Sequence, residues 1–158
     1  MTLEELKQKR NENYKLFNEV IKVDIHSFFD KVLEEKCKEK FDKVFNGILK
    51  DYVNGETNVY IDFSNIMNDL FPKKNKFDTI EYQRTVVLGE ERINYSLDFN
   101  GEEWIVFSDN LKMRYTDEIK IYIHNNLLLE LIKKLKKLFE EEIMIDVENN
   151  EMNIYFRG

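Results

Sequence analysis

Residues 80–107 read IEYQRTVVLGEERINYSLDFNGEEWIVF, and the reading of this stretch decides the fold. Ile80, Tyr82, Val86 and Leu88 alternate with Glu81, Gln83, Thr85 and Val87, the period of a strand with one buried face. Gly89-Glu90 suits a two-residue type II′ turn, whose first position demands a positive φ that glycine takes without strain. The chain returns through Ile93, Tyr95, Leu97 and Phe99, which opposes Val86 to Ile93, Tyr82 to Leu97 and Ile80 to Phe99. Asn100-Gly101 is a type I′ signal and predicts Leu97 opposite Trp104 and Tyr95 opposite Val106. Both turns place these residues on one face of a three-stranded meander. Ile105 and Phe107 then point to the other face, beside Ser96, Asn94 and Val87, for the N-terminal helices or a partner to cover.

On the N-terminal side the period is helical. Thr2 with Glu5 forms a capping box, and Leu3, Leu6, Tyr14, Phe17, Ile21, Ile25, Phe28 and Val32 recur at three- and four-residue steps. Phe29, Leu33, Cys37, Phe41, Phe45 and Ile48 continue the stripe to Asn54-Gly55, a left-handed stop. The run of about fifty residues is long for one helix. The β-branched cluster Val20, Ile21, Val23 and Ile25, beside the capping candidates Asp24 and Ser27, is where a break is expected, giving two or three helices. Val59, Ile61 and Phe63 mark a strand, and a loop or short helix then carries Pro72.

Beyond the meander, Leu111, Met113 and Tyr115 suggest a weak strand and Ile119, Ile121 and Ile123 a stronger one. Asn125 or Asn126 is expected to cap a helix through Leu128, Leu131, Ile132, Leu135, Leu138 and Phe139. A last hairpin turns at Asn149-Asn150, pairing Val147 with Met152, Ile145 with Ile154 and Ile143 with Phe156. It also sets Glu148 against Glu151. The expectation is a single α+β domain over 1–158, with a helical part over 1–55. In 56–158, a mostly antiparallel sheet carries one late helix and the C-terminal hairpin.

Composition narrows function. The 158 residues carry a net charge of −7, are 42% hydrophobic and 13% aromatic, and lack alanine, which points to an AT-rich genome. The charge after Met1 and the lack of an apolar run of about eighteen residues argue against a signal peptide or membrane span, so a cytoplasmic protein without membrane contact is expected. One cysteine, Cys37, permits no internal disulfide, and two histidines beside it make no zinc finger. A Cys37 nucleophile paired with His26 or His124 has no glycine-rich elbow around it. Phosphate-loop, dinucleotide, serine-hydrolase and zinc-protease motifs are missing, so no cofactor is expected.

Asp117-Glu118-Ile119-Lys120 holds an acid-x-Lys triplet of the kind that divalent-metal nucleases place on a strand, with Asp98 or Asp109 as further ligands. Two basic clusters, Lys73, Lys74 and Lys76, and Lys133, Lys134, Lys136 and Lys137, are outweighed by the acidic total, so direct nucleic-acid binding is not expected. The acids Glu90, Glu91, Glu102, Glu103 and Asp109 sit on meander turns, where they form one negative edge if the turns converge. With Ile105 and Phe107 they are the candidate partner-binding residues. The expected function is a small acidic, non-enzymatic interaction protein of a low-GC bacterium, phage or mobile element. It would bind and inhibit a larger, nucleic-acid-handling protein with a basic surface, as an anti-defence or anti-CRISPR-like inhibitor. A toxin immunity protein, a divalent-metal nuclease and a phage structural or assembly protein are the alternatives, and a homodimer through the N-terminal helices is a further expectation.

Overall fold

A computed structural model describes residues 1–75, 77–109 and 111–157. The elements run α1 (Leu3–Leu16), a π-helical turn (Phe17–Ile21), α2 (Lys22–Val53), β1 (Asn58–Asp62) and α3 (Ile66–Leu70). The four strands β2 (Ile80–Leu88), β3 (Glu91–Phe99), β4 (Trp104–Ser108) and β5 (Leu111–Arg114) follow. They lead to α4 (Thr116–Phe139), a short 3₁₀ turn (Glu140–Glu142), β6 (Ile143–Glu148) and β7 (Glu151–Phe156). The class is α+β, and the strands divide between two antiparallel sheets, β2-β3-β4-β5 and β1-β7-β6. The chain forms two compact units, Met1–Lys31 with Lys73–Asp117 and Val32–Pro72 with Glu118–Gly158.

In the first unit the β2–β3 register is as read from the sequence: Val86 faces Ile93, Tyr82 faces Leu97 and Ile80 faces Phe99. Gly89 carries the positive φ of 63° that the turn requires. The next turn differs. Phe99 faces Trp104 and Leu97 faces Val106, a shift of two residues from the expected pairing. The reason is local chemistry: the Asn100 side chain accepts the N–H groups of Glu102 (2.9 Å) and Glu103 (2.8 Å), and Asn100 N–H donates to Glu103 at 3.2 Å. This closes a four-residue loop in place of the Asn-Gly turn. A shift of two keeps every side chain on its face.

Trp104 is fully buried at the centre of this unit, stacked on Phe99 at 4.7 Å and met edge-on by Phe29 at 5.2 Å. Phe28 lies against Tyr82 at 4.9 Å, and Phe17 against Tyr115 at 5.2 Å. The helical segment therefore packs on the Tyr82–Tyr95–Trp104 face, not on the face of Ile105 and Phe107. Thr2 caps α1 by accepting from Glu5 N–H at 3.2 Å. The irregularity expected at residues 20–25 lies at Phe17–Ile21, where one π turn brings Phe17 and Ile21 into the core without ending the helix. Asp24 caps nothing: its carboxylate takes both guanidinium contacts of Arg84 at 3.0 Å and the Tyr95 hydroxyl.

In the second unit α2 ends at Val53 in a Schellman pattern, with Gly55 N–H donating to Tyr52 and Glu56 N–H to Asp51, and Gly55 at φ 92°. The strand expected at Ile119, Ile121 and Ile123 is instead part of α4. Ile119, Ile123, Leu127, Leu131 and Leu135 are buried at helical spacing while Ile121 is 60% exposed, so the four-residue stripe governs and the alternation was incidental. Asn125 and Asn126 lie within the helix and cap nothing; Asn126 returns a bond to the Tyr122 carbonyl at 2.8 Å. The terminal hairpin has the expected register, Glu148 opposite Glu151 included, and β7 also pairs with β1. Tyr52, Phe139 and Phe156 form an aromatic cluster with centroids 4.9–5.2 Å apart, tying the ends of α2 and α4 to β7.

Candidate functional site

The strand alternation that buries Tyr95, Leu97, Trp104 and Val106 turns another set of side chains outward. This outer face of the four-stranded sheet carries Gln83, Ser96, Phe107 and Lys112 in one row and Glu81, Asp98, Ile105 and Arg114 in the next. Its β2–β3 half is a polar ladder: Thr85 donates to Asn94 at 2.7 Å, Gln83 to Ser96 at 3.4 Å, and Ser96 to Asp98. Ile105 and Phe107 are half-buried on β4, and the Lys112 ammonium lies 5.6 Å from the Phe107 ring centroid. The pair forms an apolar island bordered by polar groups.

The acidic candidates do not meet at one edge. Glu90 and Glu91 lie at the β2–β3 turn, with Asp109 beyond β4 at the same end of the meander, whereas Glu102 and Glu103 occupy the β3–β4 loop at the opposite end. The eight steps of β3 separate the ends by roughly 27 Å. Antiparallel connectivity dictates this, since successive turns alternate ends. Glu103 is also engaged by Arg114 at 3.1 Å. Arg92, Lys112 and Arg114, which sequence reading passed over, put cations on the same face. The parity of β3 for Arg92, and of β5 for Lys112 and Arg114, was their one signal.

The remaining candidates fall into structural positions. Glu118 and Lys120 sit in the first turns of α4, not on a strand, and side chains two apart on a helix do not share a side. Asp98 accepts from Ser96, and Asp117 and Asp109 are exposed. Among the described residues no three or more His, Cys, Asp and Glu side chains are grouped to hold a metal ion. Cys37 is buried, and burial pushes its thiol up to about 11. His26 lies 3.2 Å from the Tyr115 hydroxyl, and His124 is a buried residue of α4 rather than the end of a strand. Of the first basic cluster, Lys73 donates to the Asn100 carbonyl at 2.7 Å, steadying the β3–β4 loop, and Lys76 lies outside the described residues. Of the second, Lys134 rests over the rings of Phe41 and Phe45 at 5.2 and 5.3 Å.

An open groove of about 690 Å³ in the second unit is lined by Lys36, Glu39, Lys40, Lys43 and Asp69, with Leu70 and Pro72. Two of its cations are spent internally, Lys36 on the Leu70 carbonyl at 3.0 Å and Lys40 on Asp69 at 2.8 Å. Among the described residues no helix is long and apolar enough to cross a membrane. Comparison with known protein families, curated proteins and solved structures finds no match.

Proposed function

We propose that the chain is a non-enzymatic interaction protein of a low-GC bacterium, phage or mobile element. It binds a larger, nucleic-acid-handling protein through the outer face of the β2–β5 sheet and blocks that protein's basic surface. The observation that carries the reading is the apolar pair Ile105 and Phe107 on a face that is polar elsewhere except for Val87 on β2, and whose two ends bear Glu90-Glu91 and Glu102-Glu103. An apolar centre with a charged rim is the anatomy of a protein interface. The net charge of −7 suits a basic partner and steers the encounter.

The test is a salt-stepped capture of basic nucleases and other nucleic-acid-handling proteins on the immobilised chain, repeated with Phe107→Ala and with Glu90→Lys/Glu91→Lys. A partner held at low salt, released by moderate salt and lost from both variants supports the reading. Retention by both variants at all salt concentrations defeats it. So does magnesium-dependent cleavage of nucleic acid by the chain alone.

A further inference from the structure

We infer that the free edge of β2 is a self-association surface, and that two copies of this chain join there into one continuous eight-stranded antiparallel sheet. In the four-stranded order β2 has a neighbour on one side only, and among the described residues no other segment is hydrogen-bonded along it. It is nine residues long and contains no proline. Such an edge presents a row of backbone donors and acceptors that only another strand can fill.

The outward groups follow from the turn. A two-residue hairpin makes its flanking residues, Leu88 and Glu91, a hydrogen-bonded pair, so the even residues of β2 bond to β3. The Asn100 N–H bond to Glu103 confirms the phase from the other side, because it shows that even residues of β3 bond toward β4. Glu81, Gln83, Thr85 and Val87 therefore turn their N–H and C=O groups to the open edge.

The strand is self-complementary about Arg84. A two-fold axis through that residue pairs all nine positions: Glu81 and Val87 of one copy bond to Val87 and Glu81 of the other, and Gln83 and Thr85 likewise exchange bonds. On the outer face the polar ladder then continues across the junction, from Asn94 and Thr85 to Gln83 and Ser96 of the second copy. The acidic row of Glu81 and Asp98 comes into line with Val87 and Arg92 of the second copy, twice by symmetry. On the other face Leu88, 53% exposed in the single chain, meets Ile80, and Tyr82 meets Val86. The two Arg84 guanidinium groups approach as neutralised pairs, each already held by its own Asp24. Charge complementarity and the closure of every outward backbone group select a second copy over an unrelated strand. The inference is independent of the partner proposed above.

Sedimentation equilibrium of the full chain across a wide concentration range tests it. The expected species is reversible, at twice the 19.2 kDa of the chain. Thr85→Pro deletes one outward N–H per copy while sparing every backbone bond to β3, and it removes the Thr85 side-chain bond to Asn94. The loss of two backbone bonds per dimer weakens association about thirtyfold. Thr85→Lys serves the same purpose should the proline variant misfold. Glu81→Arg and Arg92→Glu each weaken the dimer and together restore it, which reports the register. A monomer at every concentration overturns the inference. A dimer indifferent to these substitutions also overturns it, and its loss on Leu6→Lys would place the contact on the exposed α1 instead.

Discussion

Removing Asp24 is expected to destabilise the first unit more than any other single charge deletion there. Its carboxylate takes two guanidinium contacts from Arg84 at 3.0 Å and the hydroxyl of Tyr95, a residue only 2% exposed. The ion pair is half sunk, with side chains 18% exposed at Asp24 and 33% at Arg84. An exposed pair contributes up to about 1 kcal/mol, and stripping one partner from a fully buried pair costs about 3–5 kcal/mol. Asp24→Ala leaves a cation and a buried hydroxyl unserved in an intermediate setting, so the cost is about 2–3 kcal/mol, or a Tm lower by about 5–10 °C. Urea unfolding followed by circular dichroism, in a double-mutant cycle with Arg84→Met, measures the coupling. The carboxyl also dictates a pH window. Burial alone raises its pKa, but the Arg84 and Tyr95 hydrogen bonds and the attraction of Arg84 and Lys31 together hold it below the usual value. A depressed carboxyl stabilises the fold above its unfolded pKa of about 3.9, and this is lost as pH falls through the folded value. The acid limb of the stability profile should therefore flatten in Asp24→Ala. A loss below about 0.5 kcal/mol with an unchanged acid limb would refute the reasoning.

Two further outcomes follow from buried groups in the second unit. With its thiol pushed up to about 11 by burial, Cys37 should react with iodoacetamide at least about a hundredfold more slowly in the native chain than in urea at mildly alkaline pH. Equal rates would show that the helix around it opens freely. His124 is 8% exposed, and burial, with the charge of Lys120, lowers its pKa against the smaller opposing effect of a bond with Asn150. The neutral ring suits the fold, so stability should fall as pH drops below about 6.5, and His124→Gln should remove that slope from a Tm series between about pH 5 and pH 7.5.

The meander was legible because period and turn chemistry agreed over residues 80–99, where Gly89 left one register open. The β3–β4 loop was half legible. Asn100-Gly101 signalled a turn, but Asn100 uses its side chain to gather Glu102 and Glu103, and two-letter turn rules do not contain that competition. Residues 119–123 were misread because Ile119, Ile121 and Ile123 satisfy a period of two. Ile119 and Ile123 also satisfy a period of four, and only the continuation through Leu127, Leu131 and Leu135 separates them. The bond of Asp24 with Arg84 spans sixty residues and had no local signature. The acids were legible by name and not by place. Their meeting required turns at one end, and the antiparallel path puts alternate turns at opposite ends.

That separation changes what charge reversal should show. Glu90-Glu91 and Glu102-Glu103 lie roughly 27 Å apart along β3, several times the Debye length of about 8 Å at physiological salt. Neither pair feels the other, so a partner that spans the outer face must meet them as two independent contacts. Lysine substitutions at one end and at the other should then slow association by factors that multiply in the combined variant. The Glu102-Glu103 end should contribute less, because Arg114 already holds Glu103 at 3.1 Å. A partner that contacts one end alone leaves the other pair silent, and Phe107→Ala then tells whether the middle of the face is covered. If each pair alone abolished association completely, the two ends would be acting as one charged surface, contrary to the geometry of this sheet.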